Sequence, residues 1–190
     1  MGDSPSLQRS PVALVLIDVI NSFDFPGHEP LVAAATEAAP KIHALRARAR
    51  AEGAAVIYVN DHFGQWRSDF RQTVRVCCGP DQPGQHVSRL LEPGDDDFFV
   101  LKPRHSAFYA TPLEVLLRGL GTERLILVGF AANICVLYTA DDAHMRGFDV
   151  SVPSDCVAAN SPELTQRALE HMRLVSRAHV APSEQLSFSS

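Results

Sequence analysis

The chain reads as an α/β protein: a three-layer, doubly wound, six-stranded parallel sheet with helices on both faces, Rossmann-like in its order. Three observations predict this. Short apolar runs alternate with longer stretches of helical spacing. The runs are apolar at consecutive positions, as strands covered on both faces require. Polar residues or glycine punctuate the ends of the runs.

The elements follow in order. Val12–Ile17 is the first strand, closed by Asp18. An Ala-rich helix spans 30–52 and stops at Gly53, and 54–59 is the second strand. Residues 97–101 form the third strand, closed by Lys102. A short helix covers 112–118, with proline in its first turn and Gly119 after its end. Residues 125–128 are the fourth strand, from which a glycine turn leads into a helix over 132–145, ended by Arg146-Gly147. The fifth strand is 148–152, Ser161 caps the next helix, and 178–180 is the sixth strand. Residues 60–96 break this rhythm. They are rich in Gly, Pro, Arg and Asp, hold the only tryptophan, Trp66, and read as a lid or binding loop.

The 190 residues form one domain, with 1–10 expected as a flexible tail. A chain of this length buries about 70% of its unfolded surface, so a full core needs no staples. The acidic balance, 22 Asp and Glu against 17 Lys and Arg, argues against nucleic acid or an anionic membrane as partner. The basic residues Arg46, Arg48 and Arg50 alternate along a helix and read as a solvated face. No apolar run is long enough to span a bilayer, and the N-terminus lacks a signal-peptide pattern, so the expected location is cytoplasmic. The four cysteines have no spaced framework and read as free thiols.

In open parallel sheets, ligands bind outside the carboxyl ends of the strands, where strand order reverses. Asp18, Lys102 and Cys135 all lie at such ends. Taken singly, each has a plainer reading: a cysteine at a strand–helix junction as core filler, an aspartate as a turn former, a lysine as a solvated end. Together they are the parts of a cysteine nucleophile site. Cys135 would attack, Asp18 would serve as base and then acid, and Lys102 would anchor charge. A helix N-terminus and an ammonium both favour the thiolate, and the backbone of the 130–134 turn could supply oxyanion donors. No Gly-x-Gly-x-x-Gly follows the first strand, which excludes a dinucleotide fingerprint, and no cofactor is implied.

The stretches Asp18-Val-Ile-Asn-Ser-Phe23, Lys102-Pro-Arg-His-Ser-Ala-Phe108 and Gly129-Phe-Ala-Ala-Asn-Ile-Cys135-Val resemble the three signatures of the isochorismatase-like cysteine hydrolases. That superfamily includes nicotinamidases, N-carbamoylsarcosine amidases and ureidoacrylate hydrolases. The resemblance implies an Asp18–Lys102–Cys135 triad and a non-proline cis peptide at Phe130–Ala131, aiming the Ala131 and Cys135 N–H groups at an oxyanion. It also implies a small-molecule substrate and a homo-oligomer, dimer or tetramer. Two departures stand out: Ser22 where the family often has Asp, and Ala132 where it often has Thr. The cysteine favours C–N cleavage over the ether cleavage of isochorismatases proper. The alternatives are that ether hydrolysis, or a non-catalytic member binding a small molecule.

Nicotinamidases of the superfamily hold a metal with an Asp-x-His pair, but Asn60-Asp61-His62-Phe63 places His62 next to Asp61 and Phe63 where the ligand belongs. No metal is therefore expected. Phe23, Asn60, Trp66, Phe108 and Ile134 are the candidate substrate contacts, with Arg67 a further polar one.

Overall fold

The computed structural model describes residues 7–62, 64 and 69–189. Seven strands form one parallel sheet: β1 (Val12–Ile17), β2 (Ala55–Asp61), β3 (Phe98–Lys102), β4 (Arg124–Phe130), β5 (Asp149–Pro153), β6 (Val157–Ala158) and β7 (His179–Ala181). The order is β3-β2-β1-β4-β5-β7, with β6 pairing β4 off this path. From β1 the chain winds outward through β2 to β3, then restarts at β4 on the other side of β1. The reversal therefore lies between β1 and β4, whose register sets Ile17 beside Gly129.

Every residue of β1 is buried, and alternate side chains enter two separate cores. Val12, Leu14 and Leu16 pack with α1 (Glu29–Ala51), α2 (Phe70–Cys77) and α3 (Gln85–Leu90). Ala13, Val15 and Ile17 pack with α4 (Leu113–Gly119), α5 (Leu137–Met145) and α6 (Pro162–Leu174). Each fully buried Val, Leu or Ile contributes roughly 1.5–3 kcal/mol. A strand lined on both faces has no room for a polar alternation, which is why its sequence runs apolar throughout.

The structure amends the sequence reading in four places. The sheet has a seventh strand, because β5 pairs β4 only as far as Ile126 and the two-residue β6 takes over at Gly129 and Phe130. Two residues are too few for any periodicity to reveal. The 60–96 stretch is not a bare loop: it carries α2, capped where Asp69 Oδ1 accepts from Gln72 N (2.7 Å), and α3. The arginines of α1 do not share one solvated face, and of the three only Arg50 is exposed. Arg46 is buried and donates to Tyr58 Oη (2.5 Å) and to the carbonyls of Glu92 and Leu90, while Arg48 reaches the Leu186 carbonyl and Arg50 pairs with Asp97. The expected tail ends early, since Ser10 N bonds Leu120 O and Ser10 Oγ accepts from Ala55 N (both 2.8 Å); residues 1–6 of that expectation lie outside the described residues. Ser161 caps α6 as its sequence suggests, accepting from Leu164 N.

Among the described residues, no helix is long and apolar enough to cross a membrane.

Candidate active site

Three strand ends and one helix converge at the β1–β4 reversal. Asp18 follows β1 in a left-handed turn (φ 51°), a conformation aspartate tolerates better than most residues. Lys102 is the last residue of β3, and its side chain is wholly buried. Gly129 lets β4 approach β1: at φ 121°, a Cβ there would lie 2.0 Å from Ile17 O. The Phe130–Ala131 bond is cis. The chain then makes a π-helical turn, Ala132–Val136, that continues into α5, and this turn carries Cys135.

The structure brings the three candidate residues together. Lys102 Nζ lies 2.8 Å from Asp18 Oδ2 and 3.4 Å from Cys135 Sγ, and donates to Arg104 O at 3.2 Å. Asp18 Oδ1 accepts from Asp61 N (2.7 Å), and its carboxylate is close enough to the Cys135 thiol to raise it. Thr139 Oγ1 ties the nucleophile turn to the lysine's loop by donating to Cys135 O (2.7 Å) and accepting from Ala107 N (3.0 Å).

The electrostatics differ from a helix-terminus argument. Burial, followed by the Asp18 carboxylate, pushes the Cys135 thiol up to about 12, against the pull of Lys102. Burial raises Asp18 too, although Lys102 opposes it. Burial alone would lower Lys102, but Asp18, Cys135 and Asp61 together outweigh it and hold the ammonium above its ordinary value. The ammonium thus stands between the carboxylate and the sulfur, in reach of both. Burial and the Asp18 carboxylate thus oppose the thiolate that the sequence suggests, while the Lys102 ammonium favours it.

The other sequence-predicted residues divide. Ile134 is 37% exposed next to the nucleophile. Phe23 is wholly buried, its ring 6.1 Å from that of Phe130, so it packs beneath the site. Asn60 is also wholly buried, and its amide donates to Ile20 O (2.7 Å), fixing the chain after β1. Phe108 turns away from the site: its ring stacks on Phe148 (5.9 Å), just before β5 at the amino ends of the strands, with the Arg146 guanidinium 4.9 Å from its centroid. Trp66 and Arg67 lie outside the described residues.

Sequence reasoning missed Asp61, whose carboxylate lies 3.7 Å from Lys102 Nζ. Strand pairing sets Asp61 directly beside Lys102, so carrying β2 two residues past Val59 would have found it. Asp61 is turned toward an ammonium, and His62 Nδ1 accepts from Gly64 N. Among the described residues, no group of three or more His, Cys, Asp or Glu could hold a metal ion.

A family model described as an isochorismatase domain matches residues 12–185. The chain belongs to the isochorismatase family. It is 37% identical over 180 residues to an uncharacterized isochorismatase family protein, YaaI, of Bacillus subtilis strain 168, covering 95% of this chain and 98% of that one. It is 27% identical over 183 residues to the ureidoacrylate amidohydrolase RutB of Caulobacter segnis, covering 82% of this chain and 76% of that one. The crystal structure of N-carbamoylsarcosine amidase from Thermoplasma acidophilum superposes with a TM-score of 0.70 at 27% identity, covering 93% and 98% of the two chains. This isochorismatase-family hydrolase is therefore related to amidases.

Proposed function

We propose that this isochorismatase-family protein is a metal-independent cysteine hydrolase that cleaves a C–N bond of a small amide, ureido or carbamoyl compound through a thioester. The observation that carries the reading is the Lys102 ammonium within 2.8 Å of Asp18 and 3.4 Å of Cys135 at the sheet's reversal. The amidase relatives support the bond type.

Asp18 accepts the thiol proton as the sulfur attacks the carbonyl carbon, and Lys102 balances the charge left on the cluster. The tetrahedral oxyanion takes hydrogen bonds from the Ala131 and Cys135 N–H groups. As the C–N bond breaks, Asp18 returns the proton to the departing nitrogen, leaving a thioester on Cys135. Water, deprotonated by Asp18, then splits the thioester, and the proton goes back to sulfur. The proton that leaves with the nitrogen is replaced from water, so the cluster ends each cycle as it began.

Intact-mass spectrometry after exposure to a panel of small amides and ureides tests this. A covalent adduct on Cys135, lost in Cys135→Ala, is expected, and its mass gives the acyl half of the substrate. Amide hydrolysis that persists undiminished in Cys135→Ala would overturn the nucleophile.

A further inference from the structure

The mechanism above leaves Asp61 without a part, yet its geometry is specific. Its backbone N–H is committed to Asp18 Oδ1 (2.7 Å), and β2–β3 register places it opposite Lys102. Its carboxylate stands 3.7 Å from Lys102 Nζ, beyond hydrogen-bond length, so it acts there through charge. Its side chain is 33% exposed, whereas that of Lys102 is wholly buried. Lys102 Nζ already has three nearer partners, Asp18 Oδ2, Arg104 O and Cys135 Sγ.

When Asp18 takes the thiol proton it becomes neutral, and the ammonium is left between two anions, the thiolate and Asp61. A second carboxylate on the same cation competes with the sulfur for it and opposes sulfur ionisation. We propose that Asp61 is a positioning residue that shares Lys102 with the nucleophile and so restrains ionisation of Cys135. The inference deepens the proposed cysteine mechanism and rests on it.

The ionisable groups around the cluster, among the described residues, are few. Asp18 follows β1, Asp61 and His62 close β2, Arg104 and His105 follow β3, and Tyr138 lies on α5 with its ring stacked on His105 at 5.7 Å. His62 bonds Lys102 O through its backbone N and Gly64 N through its ring. Of the acidic groups here besides Asp18, Asp61 is the one within 4 Å of the ammonium.

Iodoacetamide alkylation of Cys135 in the full chain, followed by peptide mass spectrometry at a fixed mildly alkaline pH, reads the thiolate fraction without any substrate. Asp61→Asn keeps the shape and the backbone bond to Asp18, and Asp61→Ser serves as a second neutral variant. Both should raise the alkylation rate about threefold or more, equivalent to about half a pH unit. Asp61→Glu should return it to near the wild-type rate, and Asp149→Asn, at the opposite end of the sheet, should leave it unchanged. Unchanged or slower alkylation in both neutral variants would overturn the proposal. Failure of the cysteine mechanism shows differently: the unaltered protein would turn over amides without any adduct at Cys135, whatever the Asp61 series does.

Discussion

Lys102 Nζ sits 2.8 Å from Asp18 Oδ2, with the lysine side chain wholly buried and the aspartate side chain 7% exposed. This pair is the electrostatic centre of the site, and removing one partner strands the other. Such a buried ion pair adds little stability in itself, but breaking it is expensive.

Lys102→Ala is therefore expected to cost about 3–5 kcal/mol of stability, measured by urea unfolding, because Asp18 is left buried without its ion-pair partner. Iodoacetamide alkylation of Cys135 should also slow, since the cation that favours the thiolate is gone. Cys135→Ala should unfold near the wild-type midpoint while losing all turnover. A Lys102→Ala protein that alkylates as fast as wild type would remove the lysine from the mechanism.

The raised thiol gives a pH signature. With Cys135 pushed up to about 12, neutral solution lies far below its folded value, so the thiolate fraction rises as protons are removed. The alkylation rate should climb about tenfold per pH unit from near neutrality to about pH 10, with no plateau. A plateau beginning near pH 7 would show a stabilised thiolate instead.

Gly129→Ala should prevent folding or abolish soluble expression. The added Cβ would meet Ile17 O at 2.0 Å, and the φ of 121° disfavours any side chain. Neither strand can retreat without breaking the β1–β4 ladder. A soluble variant with an unchanged circular dichroism spectrum and melting temperature would contradict this.

Thr139→Val should destabilise by about 1–3 kcal/mol, because the buried Ala107 N–H loses its acceptor and the Cys135 carbonyl loses its hydroxyl donor. Turnover should fall by more than the lost stability explains, with Thr139→Ser restoring both. Equal activity in the Val and Ser variants would reduce Thr139 to a packing residue.

Much of the fold is legible because a doubly covered strand has only one sequence solution: a short apolar run ending where the sheet meets solvent. That logic locates β1 and β4, and with them Asp18 and Cys135. It fails for β6, which is held by the end of β4 rather than by any pattern of its own. It fails again between β2 and β3, where α2 is only eight residues long and its cap, Asp69, sits amid other turn-forming residues. Aromatic identity does not reveal direction either. Phe23 and Phe108 lie in recognisable signatures, yet they line opposite cores, Phe108 with its ring stacked on Phe148. What opposes the thiolate is hidden for a similar reason. A helix terminus is visible in sequence, but the depth of burial and a carboxylate 117 positions away are not.

The handover of β4 from β5 to β6 interrupts the ladder on one side of β4, while the ladder to β1 runs unbroken to Gly129. Leu125 and Ile126 are bonded into the broad sheet, whereas Gly129 N bonds Cys156 O (3.0 Å) in the short turn that precedes β6. Amide hydrogen exchange should separate the two halves of this strand, with protection at Leu125 and Ile126 set by global unfolding and that at Gly129 and Phe130 by a smaller, local opening. On that side the strand end leading to the thiol is held by two residue pairs alone, Gly129 with Val157 and Phe130 with Ala158.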